Sequence, residues 1–392
     1  MLDLVKVGTQ VEGLSAYLAE EKQVNLRHLK HAQTFWQQAQ AQPQLLLDRH
    51  PSPPARPAFT TALPLEPLDT CITLEPAPNR HTVLATDGSQ IAPSHHEIAY
   101  CYLINIGYVA LQYGSGRPAR LDSIPEIFYK TDDLYRCRRW GLRTEDWMGH
   151  RRTQMEMTLL AELTTQWRAQ HPDEPAVALV DGSLTYWFLE PLPAEARTLI
   201  LEPILAAWQQ LRTLRVPVVS YLSASRSIEV LNSLRLLACP YPEIDCQAHC
   251  RGQAEGAPCD QWRSLRDTSL AQTQLQPGQR GPRWQSTARI LETYGESTIH
   301  FCYLHAGAEV ARLEFPSWLD TPTLNIALGL VLAQVTKGYG YPVALAEAHN
   351  QAVVRGQDRS RFFSLVNAQL IRQGMGSSQV SAKEARKRIS PA

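Results

Sequence analysis

Two segments of the chain share one pattern, an apolar run followed at once by Asp-Gly-Ser. The first is HTVLATDGSQ, residues 81–90, where Asp87 follows the run; the second is AVALVDGSL, residues 176–184, where Asp181 does. Each run predicts a buried strand that ends in a turn. An unpaired carboxylate at the tip of a buried strand is costly, and two carboxylates close together repel unless they share a proton or a metal ion. We take a shared metal as the working hypothesis; the alternative is two ordinary strand-to-turn Asp-Gly pairs.

Composition and charge exclude several classes of protein. The chain has 392 residues, enough for two or three domains, and its 38 Lys and Arg balance its 38 Asp and Glu. Nucleic-acid contacts must therefore be local, because no overall basic coat exists. The first residues lack a signal peptide, and the longest apolar stretch, about residues 324–335, is too short to span a bilayer. With eight cysteines and no secretion signal, we expect a cytoplasmic protein without membrane contact.

A helix predicted from about residue 146 to residue 169 supplies a third acidic residue. Its apolar face is formed by Leu159, Leu160, Leu163 and Trp167. Glu156 falls in the middle of that face, whereas Glu162 lies off it. A carboxylate on an apolar face needs a partner at the edge of the core or a metal ion. The pattern favours Glu156 as the third ligand and leaves Glu162 as the alternative.

A late helix supplies a nitrogen ligand. Gly338–Pro342 turns into PVALAEAHNQAVV, and His349 lies on the inner stripe of that helix. A lone His on an apolar face is usually a core residue, but here it joins three carboxylates. Such an oxygen-rich set suits Mg²⁺ or Mn²⁺, and the nitrogen favours Mn²⁺. It can hold two metals about 4 Å apart, an arrangement that hydrolyses phosphodiesters.

Three further stretches bear on substrate contacts. Residues 97–114 predict two strands joined near Asn105–Gly107 in an antiparallel meander. Residues 115–144 look irregular and mix arginines with aromatic rings, so Arg138 and Arg139 are candidates for binding single-stranded nucleic acid; a solvated loop is the alternative. Small hydroxyl groups and an arginine precede a helix near residues 228–237, which predicts a phosphate contact or simple capping by Ser225, Arg226 and Ser227.

The chain divides into four parts on composition. Residues 1–62 predict an N-terminal helical segment with a proline-rich arm, residues 63–238 and 283–373 a core, residues 239–282 a cysteine-rich insertion, and residues 374–392 a disordered basic tail. The insertion holds Cys239, Cys246, Cys250 and Cys259. Four thiolates suit a structural Zn²⁺ or an iron–sulfur cluster, although the spacing lacks C-x2-C pairs and free cysteines in a loop are the alternative.

TDGSQ at Thr86–Gln90, LVDGSL at Leu179–Leu184, SASRS at Ser223–Ser227 and the Tyr341…His349 pair resemble the NurA nuclease family over roughly residues 63–373. The resemblance implies an α/β, RNase H-like mixed sheet flanked by helices and related to the PIWI nuclease domain. It implies a Mn²⁺-dependent DNA nuclease with single-strand endonuclease and 5′-to-3′ exonuclease action. It further implies a homodimer that works with a HerA-type hexameric ATPase in the processing and repair of DNA ends.

The resemblance also assigns roles to residues. Asp87, Glu156, Asp181 and His349 would be metal ligands, and Tyr341 would orient substrate or water. The cysteine insertion and the proline-rich arm depart from the family, which puts the docking of the ATPase in question.

Two other functions compete with this one. An ATP-dependent phosphotransferase of the actin-like fold also ends its first strand in an Asp-Gly turn. It needs a second, glycine-rich phosphate loop, which DGSLT at Asp181 matches only faintly. A catalytically weak DNA-binding or scaffold subunit of an ATPase complex is the second alternative, and the complete acidic set argues against it.

Overall fold

The computed structural model describes residues 2–50, 57–95, 97, 99–251 and 256–375. Most of the predicted proline-rich arm, and the predicted basic tail beyond residue 375, lie outside the described residues. The strands are β1 (Ala62–Pro64), β2 (Ile72–Thr73), β3 (His81–Ile91), β4 (Tyr102–Tyr113), β5 (Arg120–Phe128), β6 (Ala176–Asp181), β7 (Val218–Leu222), β8 (Gln279–Arg280), β9 (Trp284–Ser286), β10 (Ile299–His305) and β11 (Val310–Pro316). The helices are α1 (Leu4–Ala41), α2 (Pro43–Asp48), α3 (Thr131–Tyr135), α4 (Thr144–Gln170), α5 (Ala194–Thr213), α6 (Glu229–Ala238), α7 (Cys246–Cys250), α8 (Asp267–Ala271), α9 (Thr321–Lys337), α10 (Val343–Ala352) and α11 (Gly356–Arg372).

The chain folds into two compact units, each assembled from separate stretches. Unit 1 comprises Met1–Leu74, Ser183–Thr185 and Tyr221–Ser317, and unit 2 comprises Glu75–Gly182, Tyr186–Ser220 and Trp318–Ala392. The domain boundaries drawn from composition stay a prediction. Among the described residues, none of the helices combines the length and the apolar character needed to cross a membrane.

Unit 2 is built on a mixed sheet in the order β7-β6-β3-β4-β5. β3, β4 and β5 form an antiparallel meander, and β6 runs parallel to β3 on its other side. This is the strand order of an RNase H-like sheet, with the first strand of the meander at the centre. The predicted fold class, an α/β mixed sheet flanked by helices, is confirmed.

The predicted turn near Asn105–Gly107 is wrong, because this segment is the middle of one long strand. β4 pairs with β3 residue by residue from His81↔Tyr113 to Ile91↔Leu103. The third strand of the meander, β5, comes instead from a segment predicted to be irregular. The same pairing carries β3 through Asp87-Gly88-Ser89, so Asp87 lies inside a strand and not at its end.

Helices cover both faces of this sheet. On one face, Ile104 and Ile106 of β4 pack with Met148 of α4 in a buried apolar cluster. On the other face α10 lies directly against β4, because Gly107 has no side chain: a Cβ there would stand 2.5 Å from the Ala348 carbonyl oxygen. Adjacent residues of a strand point to opposite faces, so Asp87, paired with Gly107, faces α10, and Gly88 faces α4.

Unit 1 has an antiparallel sheet in the order β1-β9-β10-β11, to which β8 and β2 are added beside β10. The helices α1, α2, α6 and α8 contribute to one apolar core with these strands, around Trp36, Trp262, Trp284 and Phe301. Only the second half of α1 joins this core. Every described side chain from Leu2 to Glu20 is exposed.

Candidate active site

The two Asp-Gly-Ser segments meet where β6 ends. Thr86 of β3 pairs with Val180 of β6, so Asp87 and Asp181 follow at the same level of neighbouring parallel strands. β6 stops at Asp181, where Gly182 turns the chain with a φ of 82°, whereas β3 continues to Ile91. Beyond this level β3 has no β6 backbone beside it. Side chains from both faces of the sheet can reach this notch.

α10 places His349 beside Asp87, and the prediction that His349 lies on the inner stripe of this helix is wrong, because its side chain is 65% exposed. The Asn105 side-chain amide donates to the backbone carbonyl of Ala352 at 2.8 Å, and the Ser89 hydroxyl donates to the same oxygen. These bonds hold the C-terminal end of α10 on the sheet. His349 Nδ1 lies 2.7 Å from Asp87 Oδ2. Because a carboxylate only accepts, Nδ1 carries the proton, and in the neutral ring Nε2 keeps its lone pair for a metal ion.

Glu156 reaches the notch from α4. Its Oε1 occupies the space that a Cβ at Gly88 would fill, and Arg152 one turn earlier holds it at 3.2 Å. The Thr86 hydroxyl donates to the Glu156 backbone carbonyl at 2.9 Å, which ties this turn of α4 to β3. Removal from water raises the pKa of Glu156 to about 8; Arg152 opposes the rise, and the charges of Asp87 and Asp181 add to it.

Asp181 is contacted by a residue two positions before α10. The Tyr341 side chain hydrogen-bonds the Asp181 carboxylate. Burial raises the pKa of Asp181, the Tyr341 hydrogen bond lowers it, and the negative charge of Asp87 raises it again. The five predicted catalytic residues therefore lie in one electrostatic neighbourhood.

This neighbourhood carries more negative than positive charge. Asp87 and Asp181 each raise the pKa of Glu156, so the carboxyl groups repel one another despite Arg152. Three carboxyl groups and an imidazole nitrogen are a donor set that suits a divalent cation. Within the described ranges, no three His, Cys, Asp or Glu side chains already stand in the geometry of a metal site. The three carboxyl groups and the imidazole fit a divalent cation by the chemistry of their donor atoms.

The alternative ligand Glu162 lies elsewhere. It is on α4, exposed, almost two turns beyond Glu156. No contact joins it to Asp87 or Asp181 in the described part of the chain.

The arginine-rich segment before α4 is partly engaged within unit 2. Arg138 lies over the Tyr135 ring, its guanidinium carbon 4.3 Å from the ring centre, and is exposed. Arg139 stacks on Trp140 at 4.5 Å and forms an ion pair with Glu195. The mixture of arginine and rings is therefore present, but of the two predicted nucleic-acid contacts Arg139 already has a carboxylate partner.

The serine-rich segment before α6 is largely used inside unit 1. Ser225 is buried, and the Ser227 hydroxyl accepts from Arg312 Nη1 at 2.7 Å. The predicted phosphate position at the start of α6 is taken by the Asp267 carboxylate, which accepts from Val230 N–H at 3.0 Å and from Leu231 N–H at 2.9 Å. Arg226 is exposed.

Sequence reasoning missed the residues that bring the site together. Arg152 precedes Glu156 by four residues, a spacing typical of a helical ion pair, and it also donates to the Gln90 side chain at 3.3 Å. Gly107 and Asn105 predict a turn, whereas in the structure Gly107 allows α10 to approach and the Asn105 amide donates to the last carbonyl groups of α10. Glycine and asparagine are typical turn residues, so the sequence pattern does not distinguish a turn from a strand interior at these positions.

Comparisons with known proteins bear on the family of the chain. The family model described as NurA domain matches residues 81–354, well over half of the chain. A comparison with curated proteins found no significant match.

Solved structures that this chain is similar to include three proteins. The NurA nuclease from Sulfolobus solfataricus is 11% identical with a TM-score of 0.46, covering 76% of this chain and 86% of its own. A structure called NurA is 14% identical with a TM-score of 0.35, covering 75% of this chain and 90% of its own. The catalytic domain of human endonuclease V is 13% identical with a TM-score of 0.30, covering 88% of this chain and 99% of its own.

Proposed function

This chain belongs to the NurA domain family, and we propose that it is a divalent-metal-dependent DNA nuclease. Family membership supports nuclease activity; the metal dependence and the substrate belong to the proposal. The observation that carries it is the meeting of Asp87, Glu156, Asp181 and His349 at the end of β6. Four side chains from four elements converge there, and their unbalanced negative charge is relieved by a divalent cation.

The proposed ligands are Asp87, Glu156, Asp181 and His349, and the proposed ion is Mn²⁺ or Mg²⁺. A bound ion would lower the pKa of a water molecule and offset negative charge on the phosphodiester. A pair of ions would offset the charge on both the attacking and the leaving oxygen. Glu156 must lose its proton before its carboxylate can coordinate a cation, which couples occupancy to pH. His349 stays oriented through the hydrogen bond from Nδ1 to Asp87.

Tyr341 is the proposed orienting residue. Its hydrogen bond to Asp181 ties it to the site and lowers the pKa of that carboxyl group. A donor at this place can hold a phosphate oxygen or an attacking water in line with the scissile bond. Its loss should therefore lower the rate of cleavage more than the affinity for DNA.

The proposed substrate is DNA with single-stranded character, cut internally or from its 5′ end. Exposed Arg138 on the Tyr135 ring offers a cation and an aromatic surface to phosphate and base. Exposed Arg226, with its neighbours Ser225 and Ser227, and Arg139 are the further proposed contacts. Because Arg139 and Ser227 have partners inside the protein, we expect Arg138 and Arg226 to contribute most.

The cellular context follows from the family resemblance and is proposed with it. We infer a cytoplasmic homodimer that processes DNA ends in repair together with a HerA-type hexameric ATPase. A catalytically weak scaffold subunit on the same fold is the competing function, and the complete set of site residues argues against it.

Cleavage of end-labelled single- and double-stranded DNA by the purified protein tests the proposal, with Mn²⁺, Mg²⁺ or EDTA. Asp87→Asn should lower cleavage by at least about 100-fold, because it removes the central charge, while leaving DNA binding and the unfolding temperature nearly unchanged. Asp122→Asn, on the exposed side of β5, is the matched control and should cleave like the unmodified chain.

Two outcomes would contradict the proposal. Cleavage that survives in EDTA or in the Asp87→Asn variant would contradict the proposed metal site. No cleavage with either metal, with and without a HerA-type partner, would favour the scaffold subunit.

A further inference from the structure

Aromatic and basic side chains of unit 2 form a stacked row near the beginning of β4. The members of this row are His95, Tyr100, Tyr135 and Arg138. We propose that the exposed His95 end of the row is a stacking site for one base of a single-stranded DNA substrate. The inference rests on the proposed function for the identity of the ligand, and it adds a binding subsite outside the catalytic residues.

The members of the row lie face to face. The ring centres of His95 and Tyr100 are 4.4 Å apart, with an angle of 14° between the ring planes. Those of Tyr100 and Tyr135 are 5.9 Å apart, with an angle of 4°. The Arg138 guanidinium carbon lies 4.3 Å from the centre of the Tyr135 ring. Nearly parallel rings that end in a cation are the kind of surface on which single-stranded nucleic acid stacks.

Two separate segments of the chain build the row. His95 and Tyr100 belong to the connection between β3 and β4, whereas Tyr135 is the last residue of α3 and Arg138 lies in the short 3-10 helix that follows. Tyr100 and Tyr135 also pack against the buried apolar cluster that contains Met148 of α4. The core therefore holds the two tyrosines in place, and the two ends of the row are exposed.

The exposed ends have few partners inside the protein. Among the described residues, His95 has Tyr100 as its single ring neighbour, and neither ring nitrogen of His95 makes a hydrogen bond. In the same ranges Arg138 has no carboxylate partner, whereas Arg139 is paired with Glu195. The His95 ring can therefore accept a base on its face, and the Arg138 guanidinium can accept a phosphate.

Recognition by stacking selects unpaired DNA. In a duplex each base is already stacked and paired, so its face becomes available only when the base is unstacked at a cost in free energy. A stacking site also tolerates any sequence, because every base has a π-face. The row therefore fits single-stranded DNA without a preference for base identity.

The distance from the candidate active site determines which nucleotide reaches the row. Gly107 is paired with Asp87, and Tyr102 begins β4 five residues earlier. Five residues of strand span roughly 17 Å, and Tyr100 precedes Tyr102 by two residues. Stacked nucleotides advance about 3.4 Å each, so we expect the base on His95 to lie about five to seven nucleotides from the scissile phosphate.

Binding of fluorescein-labelled oligo(dT) in EDTA, measured by anisotropy, tests the stacking site without cleavage. We expect His95→Ala to bind this strand roughly fivefold or more weakly than the unmodified chain, because one base loses its stacking partner. His95→Phe is the matched control and should bind normally, because it keeps an aromatic ring. A duplex of the same length should bind all three proteins equally. His95 is exposed, so neither variant should change the unfolding temperature.

Strands that carry one abasic site, moved along the sequence one position at a time, test the position of the stacked base. In the unmodified protein, Mn²⁺-dependent cleavage should fall about fivefold at the phosphate that lies about five to seven nucleotides from the abasic site. In His95→Ala this dependence should disappear, while any effect of an abasic site directly beside the cut should remain.

Unchanged oligo(dT) affinity in His95→Ala, a loss that His95→Phe shares, an equal loss for the duplex, or an abasic effect that persists in His95→Ala would each overturn the stacking site. If the unmodified protein cleaves DNA and His95→Ala binds normally, the stacking site fails and the proposed nuclease function stands. If oligo(dT) binding depends on His95 but no metal supports cleavage, the proposed function fails and the stacking site stands.

Discussion

The acidic residues of the candidate site differ in environment although they share one neighbourhood. Asp87 lies in the centre of the sheet beside an imidazole, and its side chain is 21% exposed. Glu156 lies against the backbone of Gly88 with Arg152 for a partner, and removal from water raises its pKa to about 8. In the absence of metal, Glu156 therefore holds a proton at neutral pH. Bringing the carboxyl groups together still lowers the free energy of unfolding.

The first residue-scale prediction concerns stability in EDTA as a function of pH. The folded pKa of Glu156 lies above its ordinary value of 4.5, so its contribution to stability is complete below pH 4.5 and is lost as pH rises to about 8. Glu156→Gln removes this loss. The variant should gain on the unmodified protein by about 1.4 kcal/mol per pH unit across that window, and by no more than about 5 kcal/mol in total.

Urea unfolding at several pH values between 4.5 and 9 measures this difference. Glu162→Gln, an exposed position on the same helix, should keep the pH dependence of the unmodified protein. The assignment of Glu156 would be wrong if both variants followed the same curve. In cleavage assays with Mn²⁺, Glu156→Gln should lose activity and Glu162→Gln should not.

At the level of elements, the contact of α10 with β4 decides whether His349 reaches Asp87. Gly107 lies opposite Asp87 on β4, and the backbone of Ala348 and Ala352 fills the space where a side chain would be. The contact is backbone against backbone, so it cannot adjust by a change of side-chain rotamer.

We therefore expect Gly107→Ala to push α10 away from the sheet. Its Cβ would meet the Ala348 carbonyl oxygen at 2.5 Å, and we expect a loss of roughly 2–4 kcal/mol in unfolding free energy and of most cleavage activity. Gly149→Ala on α4 is the control, because nothing lies within 4 Å of its Cβ. It should raise stability by up to about 1 kcal/mol. Equal stability of the two variants, measured by thermal unfolding, would contradict the proposed packing role.

The exposed half of α1 carries a second element-scale feature. Its apolar residues alternate at spacings of three and four, which is the pattern of a coiled-coil seam. They are Leu4, Val7, Val11, Leu14 and Leu18. Leu14 and Leu18 are 54% and 52% exposed, an unusual cost for a helix that stands alone. A second copy of the same helix matches this seam, because a heptad repeat is complementary to itself.

We expect Leu14→Glu/Leu18→Glu to convert the proposed dimer to a monomer. Light scattering coupled to gel filtration measures the mass, and the unfolding temperature at low protein concentration should change little because neither side chain packs in unit 1. Ala16→Glu, on the opposite side of the seam, should leave the dimer intact. A dimer that persists in the double variant would show that other surfaces hold it.

At the scale of the whole molecule, buried histidines should make the fold sensitive to acid. Burial lowers the pKa of His50 to about 4, with the Ala62 backbone opposing, and burial together with Arg283 lowers the pKa of His300 to about 4. Both residues belong to unit 1. A histidine with a depressed pKa stabilises the fold above its ordinary pKa of 6.5, and this contribution is lost as pH falls toward 4.

The fold should therefore lose stability on acidification. Each of these two histidines removes about 1.4 kcal/mol per pH unit between 6.5 and 4, which calorimetry at pH 7.5, 6 and 5 would detect as a falling unfolding temperature. His300→Gln should flatten that slope, whereas the exposed His95→Gln should not change it. A slope that is the same in all three proteins would exclude His300 as the cause.

The sequence alone was sufficient where the signal is local. The sequence predicted helices near residues 146–169 and 228–237, and the structure has them at Thr144–Gln170 and Glu229–Ala238. The repeated Asp-Gly-Ser pattern predicted that Asp87 and Asp181 come together, and the motifs identified the family. A helix is encoded within a few turns of chain, because its hydrogen bonds and side-chain periodicity are local.

Only the tertiary structure decided what Asn105, Gly107 and Gly88 do. Asn105 and Gly107 could lie in a turn or inside a strand. The outcome depends on whether β3 and β5 lie on either side of them, and no local sequence pattern encodes that. The close approach of Glu156 to Gly88 and of α10 to Gly107 likewise depends on elements far apart in the chain. The sequence determined which carboxylates could form a site; the packing of α4 and α10 on opposite faces decided that Glu156 and His349 join them, because those contacts exist only once the sheet has formed.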